Sequence, residues 1–348
     1  MRRRQPWLTV LGAALLIIAL AGGAALGGIY FWYQTGIHEA PQQQGSAGSG
    51  QPAAARRRVN ILVLGMDNEG LRSDTLMVLS FDPQTHGVGI LSIPRDSRVQ
   101  IYTAGPADMK GLAGTDLSRG QTDKINAATA YHTAEVGGVV RSEKTVSNLL
   151  GVPIDYYVKV KLSGFVALVD RLGGIDFDVP QSMNYDDPYQ NLHIHLARGM
   201  QHLNGTQVME LARYRGYYGG TPDKSDDLAR IQVQHAILRA LLGRMDSLGM
   251  LANLPGIAAD LARAVSTDIP AGRLVSLAVS ARGMSVARVQ MGTLPGHPVG
   301  PADGYDRDYF LPDMKAGQPL IERLLGGPAP QGGQQAEARQ TGGGTEGT

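Results

Sequence analysis

The feature that most constrains this chain is a run of 27 residues, Trp7 to Tyr33, without a single charge. About 20 apolar residues let a helix cross the hydrocarbon core of a bilayer, so this run can span a membrane and the remainder must fold as a separate body. Arg2, Arg3 and Arg4 stand directly before the run, and Tyr30, Phe31, Trp32 and Tyr33 close it. Basic residues stay on the cytoplasmic side and aromatic rings settle at the interface. This predicts a cytoplasmic N-terminus (1–6), one transmembrane signal-anchor helix (7–33), and an extracytoplasmic location for everything after Gln34. The competing reading is a cleaved signal peptide, with Ala19, Leu20 and Ala21 as an A-x-A site. Cleavage there would leave the bare apolar terminus GGAALGGIYFWY, so an uncleaved anchor is expected.

Beyond the run, a core must form from a chain of 348 residues that is 43% hydrophobic, which excludes wholesale disorder. There is no cysteine. Disulfide scaffolds, thiolate-ligated zinc, iron–sulfur clusters and thiol nucleophiles are therefore excluded, and oxygen, nitrogen and hydroxyl chemistry remains. Residues 59–326 carry 25 Lys and Arg against 28 Asp and Glu, a net of −3. That slightly acidic balance excludes general nucleic-acid binding, which needs a broad basic face to displace counterions from phosphates. Any phosphate site must be a local arginine cluster.

Residues 34–58, rich in Gln, Gly, Ala and Pro, form a flexible linker by composition, and the Gly- and Gln-rich tail 327–348 is expected to be disordered. Arg56 to Arg58 could touch anionic lipid or wall polymer, or simply end a solvated linker. Between linker and tail, VNILVLGMD (59–67), TLMVLSFD (75–82) and VGILSIP (88–94) read as strands, with a hairpin turn over Pro83 to Gly87. A polar, Gly-rich stretch follows from Thr103 to Asp123, then a helix from about Ile125 to Leu150. Further strands are expected at Tyr156–Val160, Ile175–Val179 and Ser285–Met291. Helices are expected at Gly164–Leu172, Gly205–Arg213, Asp227–Met245, Ile257–Val265, Pro270–Arg282 and Pro319–Leu325. No linker divides 59–326, so the pattern predicts a single three-layer α/β/α domain around a central mixed sheet.

Several motifs fail on inspection. GGVVRSEKT (137–145) comes near a phosphate-binding loop, but Glu143 stands where a glycine is needed before Lys144. His193 and His195, with Asp186, Asp187 and His202 nearby, are metal-ligand types, yet no ligand spacing completes a set and a solvated strand or loop is the expectation. Ser73, Ser92 and Ser97 lack a nucleophile elbow and read as ordinary hydroxyls.

What stands out is Arg and Asp at strand and loop ends: Asp67, Arg72, Asp74, Arg95 and Asp96, then Arg213, Arg215, Asp227 and Arg230. Ligands of α/β sheets bind at the carboxyl ends of strands, where Asp67 and Arg95 would lie. Arginine matches phosphate oxygens with a planar fork of donors, and paired carboxylates suit a hard divalent cation such as Mg2+. Any one of these residues would pass for a surface ion pair; the set describes a diphosphate–metal site.

These segments also carry a resemblance. NILVLGMD, RSDTLMVLS, SIPRD, DKIN, GVPIDYYVKV, GFVALVDRLGGIDFDVP, LARYR and DDLARIQVQ, in this order across about 59–245, are similar to the LytR-CpsA-Psr family of cell-wall glycopolymer transferases. The resemblance implies transfer of a glycan phosphate from a polyprenyl diphosphate carrier to a peptidoglycan or other envelope hydroxyl, with Mg2+ on the diphosphate. It implies Asp67 and Asp74 as metal carboxylates. It assigns Arg95, Arg213, Arg215 and Arg230 to the diphosphate, with Lys124 and Asn126 of DKIN, Arg72 and Gln234 beside them. Arg95, Asp96 and Asp227 form the expected catalytic set. Asp96 or Asp227 could accept the hydroxyl proton, or could orient a neighbouring arginine.

Two departures accompany the resemblance. The family usually has Arg followed by Gln-Gln where Val233, Gln234 and His235 stand, and Gly216 to Ser225 is a glycine-rich insert beside the site. An arginine at 233 would sit one turn from Arg230 and share its phosphate, unless Val233 faces the core. The expected protein is thus a membrane-anchored, Mg2+-dependent phosphotransferase. The alternative is a non-catalytic module that binds polyprenyl diphosphate or wall polymer.

Overall fold

A computed structural model describes residues 58–66, 72–105, 122–133, 136–187, 192–214, 226–244, 265–280 and 288–326. The expected anchor, most of the linker, the tail, Asp67, Arg215 and the 216–225 insert lie outside these residues. No described helix is long and apolar enough to cross a membrane.

The chain begins with three long strands, β1 (Val59–Met66), β2 (Ser73–Asp82) and β3 (Gly87–Ile93). Short strands β4 (Arg98–Gln100) and β5 (Thr122–Lys124) lead into a 3-10 turn at Ile125–Thr129 and helix α1 (Gly138–Leu150). Next come β6 (Tyr156–Val160), α2 (Leu162–Arg171), β7 (Ile175–Val179), β8 (Met183–Asp187), β9 (Leu192–Leu196) and β10 (Gly199–Leu203). Helices α3 (Gly205–Arg213) and α4 (Asp226–Arg244) precede β11 (Val265–Thr267) and α5 (Ala271–Ser280). The described chain closes with β12 (Val289–Thr293), β13 (Gly296–Val299), β14 (Tyr309–Pro312) and α6 (Met314–Leu325).

Six strands form the central sheet in the order β11-β6-β1-β2-β3-β12. β2 runs antiparallel to both of its neighbours, β1 and β3, whereas β6 and β12 join parallel to β1 and β3, so the sheet is mixed as expected. Alternate side chains of β1 to β3 feed two separate cores. Ile61, Phe81 and Ile90 pack with Leu168 of α2, Leu211 of α3, Ile237 of α4 and Leu277 of α5. Leu62, Val78 and Leu91 pack with Val146 of α1 and Ile321 of α6. Burial on both faces explains why these strands read as near-continuous apolar runs. It also makes three layers.

The expected helix over 125–150 is broken. A Cβ on Gly138 would lie 1.9 Å from the Thr129 carbonyl oxygen, so the turn and α1 meet at a contact only glycine allows. Arg141, fully buried, donates from Nη1 to the Tyr102 carbonyl at 2.6 Å and from Nε to that of Tyr131, filling the corner. The near phosphate-loop motif is simply the start of α1. α6 begins five residues before the expected Pro319, because Asp313 caps it by accepting from the Ala316 N–H at 2.9 Å. β12 sits slightly later than the expected 285–291 strand, and Thr122 to Lys124 of the expected polar stretch form β5 against β4. Val265 starts a strand and not the end of a helix; the rest of the expected 257–265 helix lies outside the described residues.

Candidate functional site

Strand β3 ends at Pro94, which has no N–H to continue a ladder, and the chain turns through Arg95 and Asp96. Ser97 closes this turn, donating its N–H and its hydroxyl to the Pro94 carbonyl at 3.0 and 2.6 Å. The 3-10 turn docks onto it: Ile125 N–H donates to Ser97 O at 2.8 Å and Asn126 N–H to Arg95 O at 3.2 Å. From the other side Phe310 N–H donates to Asp96 O at 2.9 Å. Backbone from two distant segments thereby fixes the loop that carries the first arginine.

The Arg95 side chain is held by carboxylates. Its Nη1 donates to Asp74 Oδ1 at the start of β2, and its Nε lies 3.7 Å from Asp227 Oδ1 and 3.9 Å from Asp96 Oδ2. Lys124 Nζ is 2.8 Å from Asp96 Oδ1. In the first turn of α4, Arg230 Nη2 donates to Asp227 Oδ1, an i,i+3 pair on one helix face. Arg230 is only 4% exposed. Burial holds its guanidinium below the ordinary value, against the upward pull of Asp227. A pocket opens between these groups, with Asp74, Ser92, Arg95, Asp227, Arg230 and Gln234 in its lining.

Two properties define what this pocket can bind. Three cations (Arg95, Lys124, Arg230) face three carboxylates (Asp74, Asp96, Asp227), so the cluster is neutral by formal charge. Yet Arg95 Nε, Arg230 Nε, Asp227 Oδ2 and Asn126 Oδ1 are buried without a hydrogen-bond partner. Leaving such groups unpaired costs about 1–3 kcal/mol each, and more for charged ones. The two Nε atoms suit phosphate oxygens; the carboxylate and amide oxygens suit a cation or a hydroxyl proton. A diphosphate entering a neutral cluster brings uncompensated negative charge, which a hard cation on the carboxylates would offset. Among the described residues no three His, Cys, Asp or Glu converge as a metal site.

Asp74, Arg95, Asp96, Lys124, Asn126, Asp227, Arg230 and Gln234 are thus brought together, each either in the pocket lining or tied to the Arg95–Asp96 turn. Gln234 also donates to the Ala212 carbonyl at 3.1 Å, joining α4 to the end of α3. Lys124 and Asn126 reach the site through the turn and do not line the pocket itself, and two further expected diphosphate residues neither line it nor touch the turn in the contacts described. Arg72 is exposed just before β2, and Arg213, next to Ala212, turns its Nη1 to within 3.9 Å of Met209 Sδ. Val233 is half-buried against the apolar cluster of that sheet face and does not line the pocket. It is a packing residue, although its i,i+3 spacing puts it on the same side of α4 as Arg230.

Sequence reasoning passes over two polar residues. Ser92, read as an ordinary hydroxyl, lines the pocket, and its Oγ lies 2.8 Å from Nε2 of His235, both side chains buried. A serine inside the apolar strand GVGILSI is the available signal. His193 and His195, by contrast, stand on the outer face of β9 as expected for a solvated strand. His193 Nδ1 lies 2.5 Å from Asp186 Oδ1, His195 Nε2 lies 3.5 Å from the same oxygen, and all three side chains are more than half exposed.

The sequence profile of the LytR_cpsA_psr family matches residues 30–321. The polyisoprenyl-teichoic acid–peptidoglycan teichoic acid transferase TagV of Bacillus subtilis (strain 168) is 32% identical over 321 residues, covering 87% of this chain and 75% of TagV. The transferase of the same description, TagU, from Bacillus anthracis is 28% identical over 315 residues, covering 88% of this chain and 93% of TagU. The crystal structure of B. subtilis TagV superposes with a TM-score of 0.58 at 29% identity, over 78% of this chain and 98% of that one.

Proposed function

The chain belongs to the LytR-CpsA-Psr family, and from that membership we propose that it transfers a glycan phosphate from a polyprenyl diphosphate carrier to a hydroxyl of peptidoglycan or a related envelope glycan. The observation that carries the reading is the pair of buried guanidinium Nε donors, on Arg95 and Arg230, left unbonded in a pocket at the strand ends. Transfer of this kind needs positioning and charge stabilisation more than covalent catalysis, which suits a site of arginines and carboxylates.

In this reading Arg95, Arg230 and Lys124 hold the diphosphate oxygens. Mg2+, held by Asp74 together with Asp67, would supply positive charge to the diphosphate. The acceptor hydroxyl forms a bond to the phosphorus of the glycan phosphate as the bond to the carrier's phosphate oxygen breaks, and polyprenyl phosphate leaves. Asp227 takes the hydroxyl proton on Oδ2, since its Oδ1 is committed to Arg230 and Arg95. Asp96 orients Lys124 and Arg95. Residues 7–33 anchor the protein as a single span, N-terminus inside, which keeps the domain beside a membrane-held carrier.

The test is transfer from a synthetic lipid-linked glycan to isolated peptidoglycan by the purified full-length chain with Mg2+. Covalent attachment with release of polyprenyl phosphate is expected. Tight diphosphate binding without any transfer would establish the non-catalytic binding module instead.

A further inference from the structure

We propose that Ser92 and His235 form a buried pair that presents a hydroxyl donor to the diphosphate, making Ser92 a direct ligand of the carrier and His235 its positioning residue. The inference rests on the diphosphate reading above and adds two residues to it.

Ser92 shares its side of β3 with Val88 and Ile90, both of which enter the apolar core beneath α4. At the same register the chain places a hydroxyl, 3% exposed, and opposite it on α4 an imidazole, 7% exposed. The Oγ to Nε2 distance is 2.8 Å, across 143 residues of sequence. Burying a polar pair between strand and helix costs desolvation that an apolar pair would avoid, so packing alone gives no reason for it. The position does: Ser92 lines the pocket, three residues before Arg95, and His235 follows Gln234 and lies five residues after Arg230.

The chemistry follows from one proton. Burial, with Arg239 behind it, holds His235 below its ordinary value, so the ring is neutral near pH 7 and carries one N–H. With that N–H on Nε2 donating to Ser92 Oγ, the serine's own proton is free to point into the pocket. There it becomes a neutral donor between two guanidinium groups, where a phosphate oxygen gains a short charge-assisted bond without adding to the repulsion of Arg95 and Arg230. Glutamine at 235, which the family pattern carries, could donate to Ser92 from its amide in the same way.

The test is calorimetric titration of the full-length protein in detergent with geranyl diphosphate and Mg2+, alongside melting curves, for wild type, Ser92→Ala, His235→Leu and His235→Gln. Expected are a loss of affinity of roughly tenfold for Ser92→Ala and His235→Leu, the size of one charge-assisted hydrogen bond, and near wild-type affinity for His235→Gln. A purely structural pair would lower the melting temperature of the variants while leaving the affinity of the folded protein unchanged. That result for Ser92→Ala, a small substitution, overturns the proposal even if His235→Leu fails to fold. Wild-type binding with Ser92→Ala unaffected removes the pair alone; no binding by wild type overturns the diphosphate reading and the pair together.

Discussion

Two clusters of opposite charge in this molecule look alike in sequence and differ in every physical respect. On the β8–β9 hairpin, His193 and His195 meet Asp186 in water, with side chains more than half exposed. At the ends of β2 and β3 and the start of α4, Arg95 and Arg230 meet Asp74, Asp96 and Asp227 in a recess where their side chains are 14% and 5% exposed. Water screens the first cluster and solvates whatever it leaves unpaired. The second cluster has buried atoms that no protein group satisfies. The contrast teaches that a ligand site is marked by polar atoms that folding has desolvated and left wanting, and not by the density of charge.

The largest consequence should come from removing the hub of the buried cluster. Arg95→Ala deletes a donor to phosphate and removes the ion-pair partner of Asp74, so transfer should fall by more than about a hundredfold, from contacts of roughly 1.5–3 kcal/mol each. Circular dichroism measured on the same sample should show the fold retained. Wild-type transfer by this variant would place the site elsewhere.

Next in size is the cation. Chelation should abolish transfer, and Asp74→Asn should raise the Mg2+ concentration for half-maximal activity by about tenfold or more, since it removes a charged ligand. Activity titrated against Mg2+ reads this directly. Full activity in excess chelator would mean the three cations suffice alone.

Burial without a ligand site gives an intermediate effect, and Glu143 on α1 supplies the case. Burial first, and the nearby Asp268 second, raise its carboxyl from an ordinary 4.5 to about 8. The folded protein therefore keeps a proton that the unfolded chain sheds, and the stability this carries is complete below pH 4.5 and is lost progressively up to about pH 8. Glu143→Gln removes that loss. Its stability relative to wild type should improve progressively as the pH rises from about 5 to about 8.5, with transfer unchanged. An equal change at both pH values would show that Glu143 is ionised in the fold.

The smallest effect belongs to the exposed cluster. His193→Ala and His195→Ala should leave transfer and melting temperature at wild-type levels, because solvated ion pairs contribute little. Loss of transfer in either variant would mean that the hairpin takes part in acceptor binding and that exposure alone does not separate the two clusters.

Much of the fold could be read in advance because its strands are long, apolar and buried on both faces, and its helices are amphipathic. β1, β2, β3, β6 and β7 fall close to their expected spans. The pieces that escaped are short: β4 and β5 have three residues each and exist through their pairing with one another, and β8, β10, β13 and β14 have four or five. The break before α1 escaped because Gly138 is recognisable as a contact only once Thr129 lies against it. In the site, the arginines and aspartates announced themselves as residues that a strand end has no packing use for. Ser92 and His235 did not, since serine is common everywhere and their partnership spans 143 residues.

Local chemistry thus determined the apolar run of 27 residues, the three-layer architecture, the family and the Arg–Asp composition of the site, all of which follow from patterns within short windows of sequence. Only the tertiary structure decided which of those charges share a pocket, that Arg72 and Arg213 stand outside its described lining, that Val233 packs while Gln234 faces inward, and that a serine and a histidine meet beneath it. The physical reason is that desolvation belongs to the assembled layers: a guanidinium has the same formula in a loop and in a recess, and its unpaired Nε acquires a cost only when neighbouring elements close over it.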